Sequence, residues 1–585
     1  MSALVTALDT HTPQQIGENG HVELTWFKNI QEKILQFSFQ MTRTDDNGMI
    51  KLQIVLTELL TSIKYKIENS LLIEKEIAKH HLSILYRMIG QTRDIVDGKG
   101  EYKLTYMMIL TWYDYFPQLA LFALKCLVDL GNKTIHQYGS WKDIKYFCKF
   151  CYERGIKLDH PLILSSVQLM NHQISRDVDN LISGNLKDLT LVAEWAPREG
   201  SSFGFLYTSL ATNYFNHYIK SAITSESKKN AVLKCKTEYR KLLASLNKSI
   251  DTLQIKQCEN RWSEINPEKV TSISFSKQKT SLLNLKKNGQ VRYPDRSDRV
   301  ECAQHFKERI KKAISGEKEI KGKRIGMADF SKQAQKLYNN KSSQEEKDIL
   351  NSQWRDNSTQ NGSLCNMIPM VDISESMQGN PMDVAIALGI RIAEKSKLGK
   401  RVMTFTKNPR WINLEAYPDF ISQYVAVKGS EVGYNTNFYE ALKLILDSII
   451  ENNMPPEDVE DMVLVMLSDM QIDQAEKNTD NKECKKEELY KIIKKLYADA
   501  GVRVHGRPYN PPHILFWNLR STSGFPSLSS EKNVSMMSGF SPAILNLFCD
   551  KGIDALHKCT PWTILIQSLE NERYKIMSDY LESNI

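Results

Sequence analysis

The sequence predicts two kinds of fold in one chain, a helical, repeat-like N-terminal region and a doubly wound α/β domain at the C-terminus. Three observations support this prediction. The length of 585 residues exceeds what one hydrophobic core usually organises. Apolar residues recur at helical spacing from about residue 22 to 250, and short apolar runs alternate with helices after residue 366. The composition, 41% hydrophobic and 25% charged, excludes a disordered, collagen-like or membrane-embedded protein.

Composition and charge divide the chain into four predicted parts. These are a flexible N-terminus at 1–21, a basic helical region at 22–340, a linker at 341–362 and the α/β domain at 363–585. The linker is predicted because the segment is rich in Ser, Asn and Gln. Residues 361–585 carry 24 Lys and Arg against 29 Asp and Glu, a net charge of −5, and the remaining 53 basic and 40 acidic residues give 1–360 a net charge of +13.

The helical region is predicted from apolar residues at three- and four-residue spacing, separated by glycines that suit helix ends. The clearest helices are predicted at 50–70, 74–89, 103–112, 118–130 and 140–154. Many single apolar faces are best buried by stacking antiparallel helix pairs, which favours a solenoid or a bundle. No clean repeat period is present.

The α/β domain is predicted from alternation of strands and helices. Strands are predicted at 367–371, 402–405, 462–467, 513–517 and 534–537, and helices at 382–395, 438–450, 485–498 and 542–549. This order indicates crossover connections and a parallel sheet that is covered on both faces. Ligands of such sheets bind at the carboxyl ends of the strands, near the point where the strand order reverses.

Targeting signals and cysteine usage favour an intracellular protein. Residues 1–20 are polar and lack the apolar core of a signal peptide. The most apolar stretch, 107–130, is interrupted by Asp114, Pro117 and Lys125, so we expect two buried helices there and no membrane span. The ten cysteines are expected to be reduced thiols, and the pair Cys148 and Cys151 is expected to lie in the core. We therefore expect a cytoplasmic location, or the virion if the protein is viral.

Oxygen-bearing side chains follow two predicted strands and one predicted loop. The strand at 367–371 runs into Asp372-x-Ser374-x-Ser376, and the strand at 462–467 runs into Ser468-Asp469. Thr436 precedes the helix at 438–450. Hard oxygen ligands with few formal charges suit Mg²⁺, or another divalent cation, and two carboxylates would leave the shell open to an acidic group from elsewhere. The alternative is that these residues only cap helices and form turns.

This pattern resembles the metal-ion-dependent adhesion site, or MIDAS, of von Willebrand factor A domains. The D-x-S-x-S piece, a T-N-x-x-x-A-L piece at 436–442 and a strand-terminal S-D occur in the same order. The resemblance implies that Ser374, Ser376 and Thr436 bind the metal through their hydroxyls. It also implies that Asp372 and Asp469 bind directly or through water.

A wider resemblance covers most of the chain. It depends on R-D-x-x-x-G-K-G-E at 93–101, Y-G-S-W-K-D at 138–143, W-A-P-R-E at 195–199 and N-L-R at 518–520. These pieces are similar to an intracellular family, found in plants, fungi and large DNA viruses, that joins a helical region to a von Willebrand A-like domain. In order they resemble the TROVE proteins, exemplified by the Ro autoantigen, in which a ring of helical, HEAT-like repeats is closed by such a domain and binds small structured RNA. The resemblance implies RNA binding by the helical half.

The net charge of the helical half is compatible with that implication. Candidate nucleic-acid contacts in and near its loops are Arg93, Lys99, Lys103, Lys133, His136 and Lys142. The alternative is that this charge, including the basic run at 307–324, is only solvated helix surface. The tryptophans at 112, 141, 195 and 262 are expected to be core residues.

No motif pairs a nucleophile with a base, since GxSxG, HExxH, Walker and kinase signatures are absent from the sequence. The sequence therefore predicts a non-enzymatic protein that captures an acidic protein partner through Mg²⁺ and binds structured RNA, without a membrane or a small-molecule substrate. The alternative function is that of a structural or scaffold protein, for example of a large DNA virus, that binds no nucleic acid.

Overall fold

The chain forms two compact units. The computed structural model describes residues 13–17, 22–132, 134–286, 288–340, 342–405, 409–430, 438–471, 489–522, 524–549 and 553–585. One unit comprises 1–88, 97–101 and 312–575, and the other comprises 89–96, 102–311 and 576–585. We call them the sheet unit and the helical unit. The predicted division at 341–362 does not coincide with them, because the N-terminal helices and 312–340 belong to the unit that contains the sheet.

The N-terminal part of the sheet unit begins with a short hairpin. Strand β1 (Gln14–Ile16) pairs antiparallel with β2 (Val22–Leu24), so the prediction that 1–21 is flexible is wrong for 14–16. These residues form a strand because they pair with β2. A polar strand of three residues has no sequence pattern that would predict this pairing. The rest of 1–21 lies outside the described residues, except 13 and 17. Three helices follow, α1 (Ile30–Gln40), α2 (Asp46–Asn69) and α3 (Leu72–Arg93), and the residues of α3 beyond 88 belong to the helical unit.

The helical unit contains the eleven helices that follow in the described residues. They are α4 (Tyr102–Tyr115), α5 (Pro117–Cys126), α6 (Trp141–Glu153), α7 (Pro161–Ile182), α8 (Val192–Trp195), α9 (Gly204–Tyr214), α10 (Asn216–Lys220), α11 (Ser225–Ile250), α12 (Leu253–Cys258), α13 (Ser272–Leu282) and α14 (Ser297–Ile314), of which α14 ends just beyond the unit boundary. Local signals fix the ends, since Pro117 and Pro161 occupy first turns and a Ser140–Asp143 capping box begins α6. The helical prediction for this region is confirmed.

The predicted linker is a helix. Helices α15 (Met327–Asn339) and α16 (Gln344–Ser358) occupy most of 327–358. Ser343 caps α16, and Trp354 of α16 stacks on Phe420 with ring centroids 3.9 Å apart. The linker prediction is wrong because the polar composition of 341–362 conceals a buried apolar face that includes Leu350 and Trp354.

A six-stranded sheet forms the centre of the sheet unit. Its strands are β3 (Met367–Asp372), β4 (Arg401–Phe405), β5 (Arg410–Asn413), β6 (Val463–Ser468), β7 (His513–Asn518) and β8 (Val534–Ser538). The order is β5-β4-β3-β6-β7-β8, in which only the edge strand β5 is antiparallel to its neighbour. The five predicted strands are confirmed within one residue, and the exposed strand β5 was missed. The order reverses at β3, which lies between β4 and β6.

Both faces of the sheet are covered, as predicted for an α/β domain. Every residue of β3, β6, β7 and β8 is buried. The helices after β3 are α17 (Asn380–Lys395), α18 (Phe420–Lys428), α19 (Phe438–Glu451), α20 (Pro456–Glu460), α21 (Leu489–His505), α22 (Asn546–Cys549), α23 (Ile553–Lys558), α24 (Pro561–Leu569) and α25 (Glu572–Glu582). Helix α17 lies so close to β3 that a Cβ at Gly389 would approach Val371 Cγ2 within 2.4 Å. This contact fixes the strand that leads to the candidate site.

Candidate metal centre

Four strands of the sheet end in polar residues at the same edge. The register pairs Ser468 with Asn518 and Asn518 with Ser538, and the Ser468 hydroxyl donates to Asp372 Oδ2 at 2.6 Å. These four residues are at most 2% exposed. The polar row therefore lies at the carboxyl edge and includes the reversal point at β3, where α/β sheets bind ligands.

The turn after β3 gathers one carboxylate and two hydroxyls. Asp372 Oδ1 accepts a hydrogen bond from the backbone N–H of Ser374 at 2.9 Å. The hydroxyl oxygens of Ser374 and Ser376 lie 3.0 Å apart. The turn then passes through Gly379 at φ +94°, a conformation that L side chains rarely adopt, before α17 begins. Asp372 and the two serines of the predicted D-x-S-x-S motif are thus brought together.

The turn after β6 adds the second carboxylate. Asp469 is fully buried, and its Oδ1 accepts from the backbone N–H of Gln471 at 3.2 Å. Met470 has φ +64°, and its N–H donates to the Ser468 hydroxyl at 3.0 Å. A non-glycine residue at positive φ is strained, and such strain is common at functional sites.

The two carboxylates stand in an unfavourable electrostatic setting. Burial raises the pKa of Asp372, and the charge of Asp469 raises it further, against the hydrogen bonds from Ser374 and Ser468. Burial also raises the pKa of Asp469, whereas the Gln471 N–H, the Ser376 hydroxyl and the Arg520 charge lower it. Two buried acids in one cluster need a positive charge if both are to be ionised at neutral pH.

The donor set fits a hard divalent cation. The cluster offers carboxylate and hydroxyl oxygens, which are ligands that Mg²⁺ accepts. Among the residues that the structure describes, no three His, Cys, Asp or Glu side chains come together as a metal cluster, so a cation here would depend on hydroxyls in addition to the two acids. The fifth predicted ligand, Thr436, lies outside the described residues.

One cationic side chain at this cluster was not predicted. Arg520 Nη1 lies 3.4 Å from both Asp469 Oδ2 and the carbonyl oxygen of Ser376. The N-L-R segment at 518–520, which contains Arg520, contributes to the family resemblance but predicts no role at the metal site. The sequence carries no signal for this contact, because it joins the turns after β3, β6 and β7.

Two of the predicted nucleic-acid residues are buried. Arg93 is 8% exposed and forms a bidentate ion pair with Asp143, in which both N···O distances are 2.7 Å. Lys99 is 6% exposed and donates to the carbonyls of Ser38 and Met41, both at 3.0 Å, and to the Ser538 hydroxyl at 2.7 Å. The prediction is wrong for these two, because their charged groups are enclosed by protein oxygens and cannot reach a phosphate.

The remaining predicted nucleic-acid residues differ in position. Lys103, His136 and Lys142 are exposed in the helical unit, whereas Lys133 lies outside the described residues. Lys142 belongs to a group that was not predicted. Its Nζ lies 5.0 Å from the ring centre of Tyr146 and 5.8 Å from that of Trp195.

Two further lysines of α6 extend this group. Lys145 Nζ lies 4.9 Å from the Trp195 ring and 5.0 Å from the Phe203 ring, and Lys149 Nζ lies 5.4 Å from the Phe203 ring. We call Lys142, Lys145, Lys149 and these three rings, Tyr146, Trp195 and Phe203, the lysine–aromatic face. The spacing of three and four residues was a usable signal for it.

The remaining sequence predictions about core residues are largely confirmed. Trp112, Trp141 and Trp262 are buried, whereas Trp195 is half-buried. Cys148 and Cys151 are buried free thiols. In the described part of the protein, every helix is too short or too polar to cross a membrane.

Comparison with known proteins finds similarity in both halves of the chain. Residues 366–575 match the family described as domain of unknown function DUF7788, and residues 159–360 match the one described as domain of unknown function DUF2828. The chain is also similar to Uncharacterized protein L728 of Acanthamoeba polyphaga mimivirus, with 25% identity over 515 residues. That alignment covers 85% of this chain and 80% of the relative, so the similarity includes the helices and the sheet.

Proposed function

We propose that the protein is a non-enzymatic binding protein whose sheet unit captures an acidic group of a protein partner through a divalent cation. In this proposal Asp372, Asp469, Ser374, Ser376 and Thr436 hold Mg²⁺ or another divalent cation. The observation that carries the proposal is the burial of two carboxylates beside two hydroxyls at the edge of the sheet where ligands bind. A bound cation would offset the charge of the two acids and offer a position to the partner's carboxylate.

The surroundings of the cluster favour binding over catalysis. The described residues of the cluster are two acids, serine hydroxyls and Arg520, and both acids are engaged by backbone N–H groups. A general base must reach a substrate proton, and both acids are fully buried. The proposed output is therefore recruitment of a partner.

The proposal also assigns each unit to a more specific fold and the protein to a cellular compartment. The order of the D-x-S-x-S, T-N and S-D pieces and the reversal of strand order at β3 support a von Willebrand A-like sheet unit with a MIDAS. The succession of helices α4–α14 supports a TROVE-like or HEAT-like helical unit. The nine cysteines that the structure describes are free, which supports a reducing compartment such as the cytoplasm, and the mimivirus relative extends this to a virion or infected host cytoplasm.

Capture experiments test the metal-dependent function. Immobilised protein should retain specific partners from a cell lysate in Mg²⁺ and lose them in EDTA. Asp372→Asn should retain none of them, whereas Asp461→Asn, the same change at an exposed carboxylate that bonds Asn366, should behave as wild type. Retention by wild type that is as strong in EDTA as in Mg²⁺, or retention by Asp372→Asn that equals wild type in Mg²⁺, would contradict the proposal.

A second proposed function is binding of structured RNA by the helical unit. The specific observation is the lysine–aromatic face, which combines three ammonium groups with three partly exposed rings. Burial and the charges of Lys142 and Arg198 lower the pKa of Lys145, against the opposite effect of Glu194. Crowded cations beside rings favour a polyanion whose bases can stack.

Crosslinking tests the RNA function. RNA crosslinked to the protein in cells would be sequenced, and binding of the recovered RNA measured at two salt concentrations. We expect the triple change of Lys142, Lys145 and Lys149 to Gln to weaken binding and to lower the salt slope by about 1 for each of these lysines that meets a phosphate. The same change at Lys228, Lys229 and Lys248, exposed lysines of α11, should have a small effect.

The alternative function is that of a structural or scaffold protein. Recovery of background RNA alone, with the two triple variants indistinguishable, would favour this alternative over RNA binding. Metal-dependent capture would be unaffected by that outcome, since it concerns the sheet unit.

A further inference from the structure

We propose that Arg520 selects the ligand of the metal site, by balancing the charge of Asp469 in the metal-free protein and donating to the partner's carboxylate in the metal-bound one. This inference rests on the proposed metal-dependent function of the sheet unit. It adds a recognition residue to the oxygen cluster.

The backbone holds Arg520 at the rim of the cluster. Its N–H donates to the side-chain oxygen of Asn518 at 3.1 Å, and the Leu519 N–H donates to the carbonyl of Ser468 at 3.0 Å. Asn518 is itself fixed, because its amide donates to the carbonyl of Phe39 at 3.0 Å. The backbone of Arg520 therefore lies in a fixed turn that follows β7 and is hydrogen-bonded to the last turn of α1.

The guanidinium, in contrast, is loosely held. Both of its contacts, from Nη1 to Asp469 Oδ2 and to the Ser376 carbonyl, measure 3.4 Å, and its side chain is 43% exposed. The structural pair of Arg93 and Asp143 has two contacts at 2.7 Å and is almost fully buried. Within the described residues, Nε and Nη2 of Arg520 meet no acceptor. Arg520 therefore keeps N–H groups that a ligand can bind.

The position of the guanidinium gives it two opposing effects. Its positive charge lies beside Asp469, so it should repel a cation that binds the same acid. Its side chain is 43% exposed, so the N–H groups that meet no acceptor in the described residues are open to an incoming acidic group. Removal of the charge should therefore tighten metal binding and weaken ligand binding, a combination that loss of structure would not produce.

The planar fork of arginine favours a carboxylate as the ligand. Two parallel N–H groups match the two oxygens of one carboxylate, and lysine cannot reproduce this geometry. The partner group is therefore an Asp or Glu side chain or the terminal carboxylate of a polypeptide. Acetate is a suitable probe because it carries that group alone.

Two measurements on the full-length protein test the inference. Calorimetry with Mg²⁺ should give Arg520→Gln a dissociation constant lower by about three- to tenfold than wild type, and Arg520→Lys a value near wild type. In Mn²⁺-loaded protein, paramagnetic broadening of the acetate methyl signal should fall several-fold in Arg520→Gln and in Arg520→Lys, because lysine lacks the fork. Arg507→Gln is the matched control, since Arg507 also makes a single 3.4 Å ion pair, to Glu457, and is exposed.

The outcomes separate this inference from the function on which it rests. Unchanged Mg²⁺ affinity and unchanged acetate broadening in Arg520→Gln would overturn the role of Arg520 and leave the metal site standing. A wild-type protein that binds neither Mg²⁺ nor Mn²⁺ would overturn both. Equal weakening of metal and acetate binding in Arg520→Gln would also contradict the inference, because the charge would then support the metal.

Discussion

The clearest indication of function is a group of individual side chains at the carboxyl edge of the sheet. Asp372 and Asp469 are both fully buried, and the charge of Asp469 raises the pKa of Asp372. A fold selected for stability alone would replace one of these acids by an amide. Their retention in one cluster with Ser374 and Ser376 is explained if a cation completes it.

We therefore predict that Asp372→Asn stabilises the metal-free protein. Burial and Asp469 raise the pKa of Asp372, so ionised Asp372 is less favourable in the fold than in the unfolded state. In EDTA near neutral pH the variant should gain about 1–3 kcal/mol in the free energy of unfolding. Chemical denaturation measures this difference, and a loss of stability in EDTA would contradict it.

The same raised pKa predicts a pH dependence. The folded protein keeps a proton on Asp372 at pH values where the unfolded state has lost it, so the stabilising contribution is complete at low pH. It should decline as the pH rises above the ordinary value of 3.8 and through the raised pKa. Denaturation of wild type and Asp372→Asn in EDTA at several pH values should show the wild-type disadvantage growing with pH, and a constant difference would exclude this origin.

Among the secondary-structure elements, those with strong local signals were predicted well. The strands β3, β6, β7 and β8 are continuous apolar runs because both of their faces are buried. Strand β5 was missed because its residues are mostly exposed and pair with a single neighbour. Four of the five predicted metal ligands lie in the described residues and converge, because strand ends at one edge must meet.

Contacts between side chains and distant helices, which form only in the folded protein, were not predictable from the sequence. Arg93 and Lys99 look like basic loop residues, yet one pairs with the first turn of α6 and the other caps the end of α1. A buried partner cannot be recognised from the charge of a residue alone. Arg93 and Asp143 belong to the two sequence pieces that resemble an RNA-binding family. In this protein they form a structural ion pair with each other.

This ion pair predicts a large stability effect at the start of α6. Asp143 accepts from Arg93 twice and from the Tyr106 hydroxyl at 2.7 Å, and all three side chains are buried. Asp143→Asn should lower the free energy of unfolding by about 3–5 kcal/mol, as measured by chemical denaturation, because it leaves the Arg93 charge without a counter-charge. Lys149→Gln, which removes a more exposed ion pair with Glu153, should cost less than about 1 kcal/mol.

For the molecule as a whole, the domain boundary predicted from composition differs from the boundary between the two compact units. The segment 341–362 was expected to separate two domains, but helices α15 and α16 pack in the core of the sheet unit, and α1 is bonded to β7 and β8. The charge division at residue 360 therefore describes sequence composition and not the compact units.

Limited proteolysis tests this description of the units. Cleavage within 341–362 should be slow, and a fragment of 363–585 should not accumulate. The reason is that α15 and α16 supply part of its core, and α1 is hydrogen-bonded to β7 and β8. Expressed alone, 363–585 should lack the dispersed amide spectrum of a folded domain. Early release of a stable fragment that begins near 341–362 would restore the predicted linker.

The most direct test of the metal site is calorimetric titration of the full-length protein with Mg²⁺ at neutral pH, with Asp372→Asn and Asp461→Asn in parallel. We expect saturable binding of one cation by wild type and by Asp461→Asn, and none by Asp372→Asn. Binding that persists in Asp372→Asn, or its absence from all three proteins, would contradict the site.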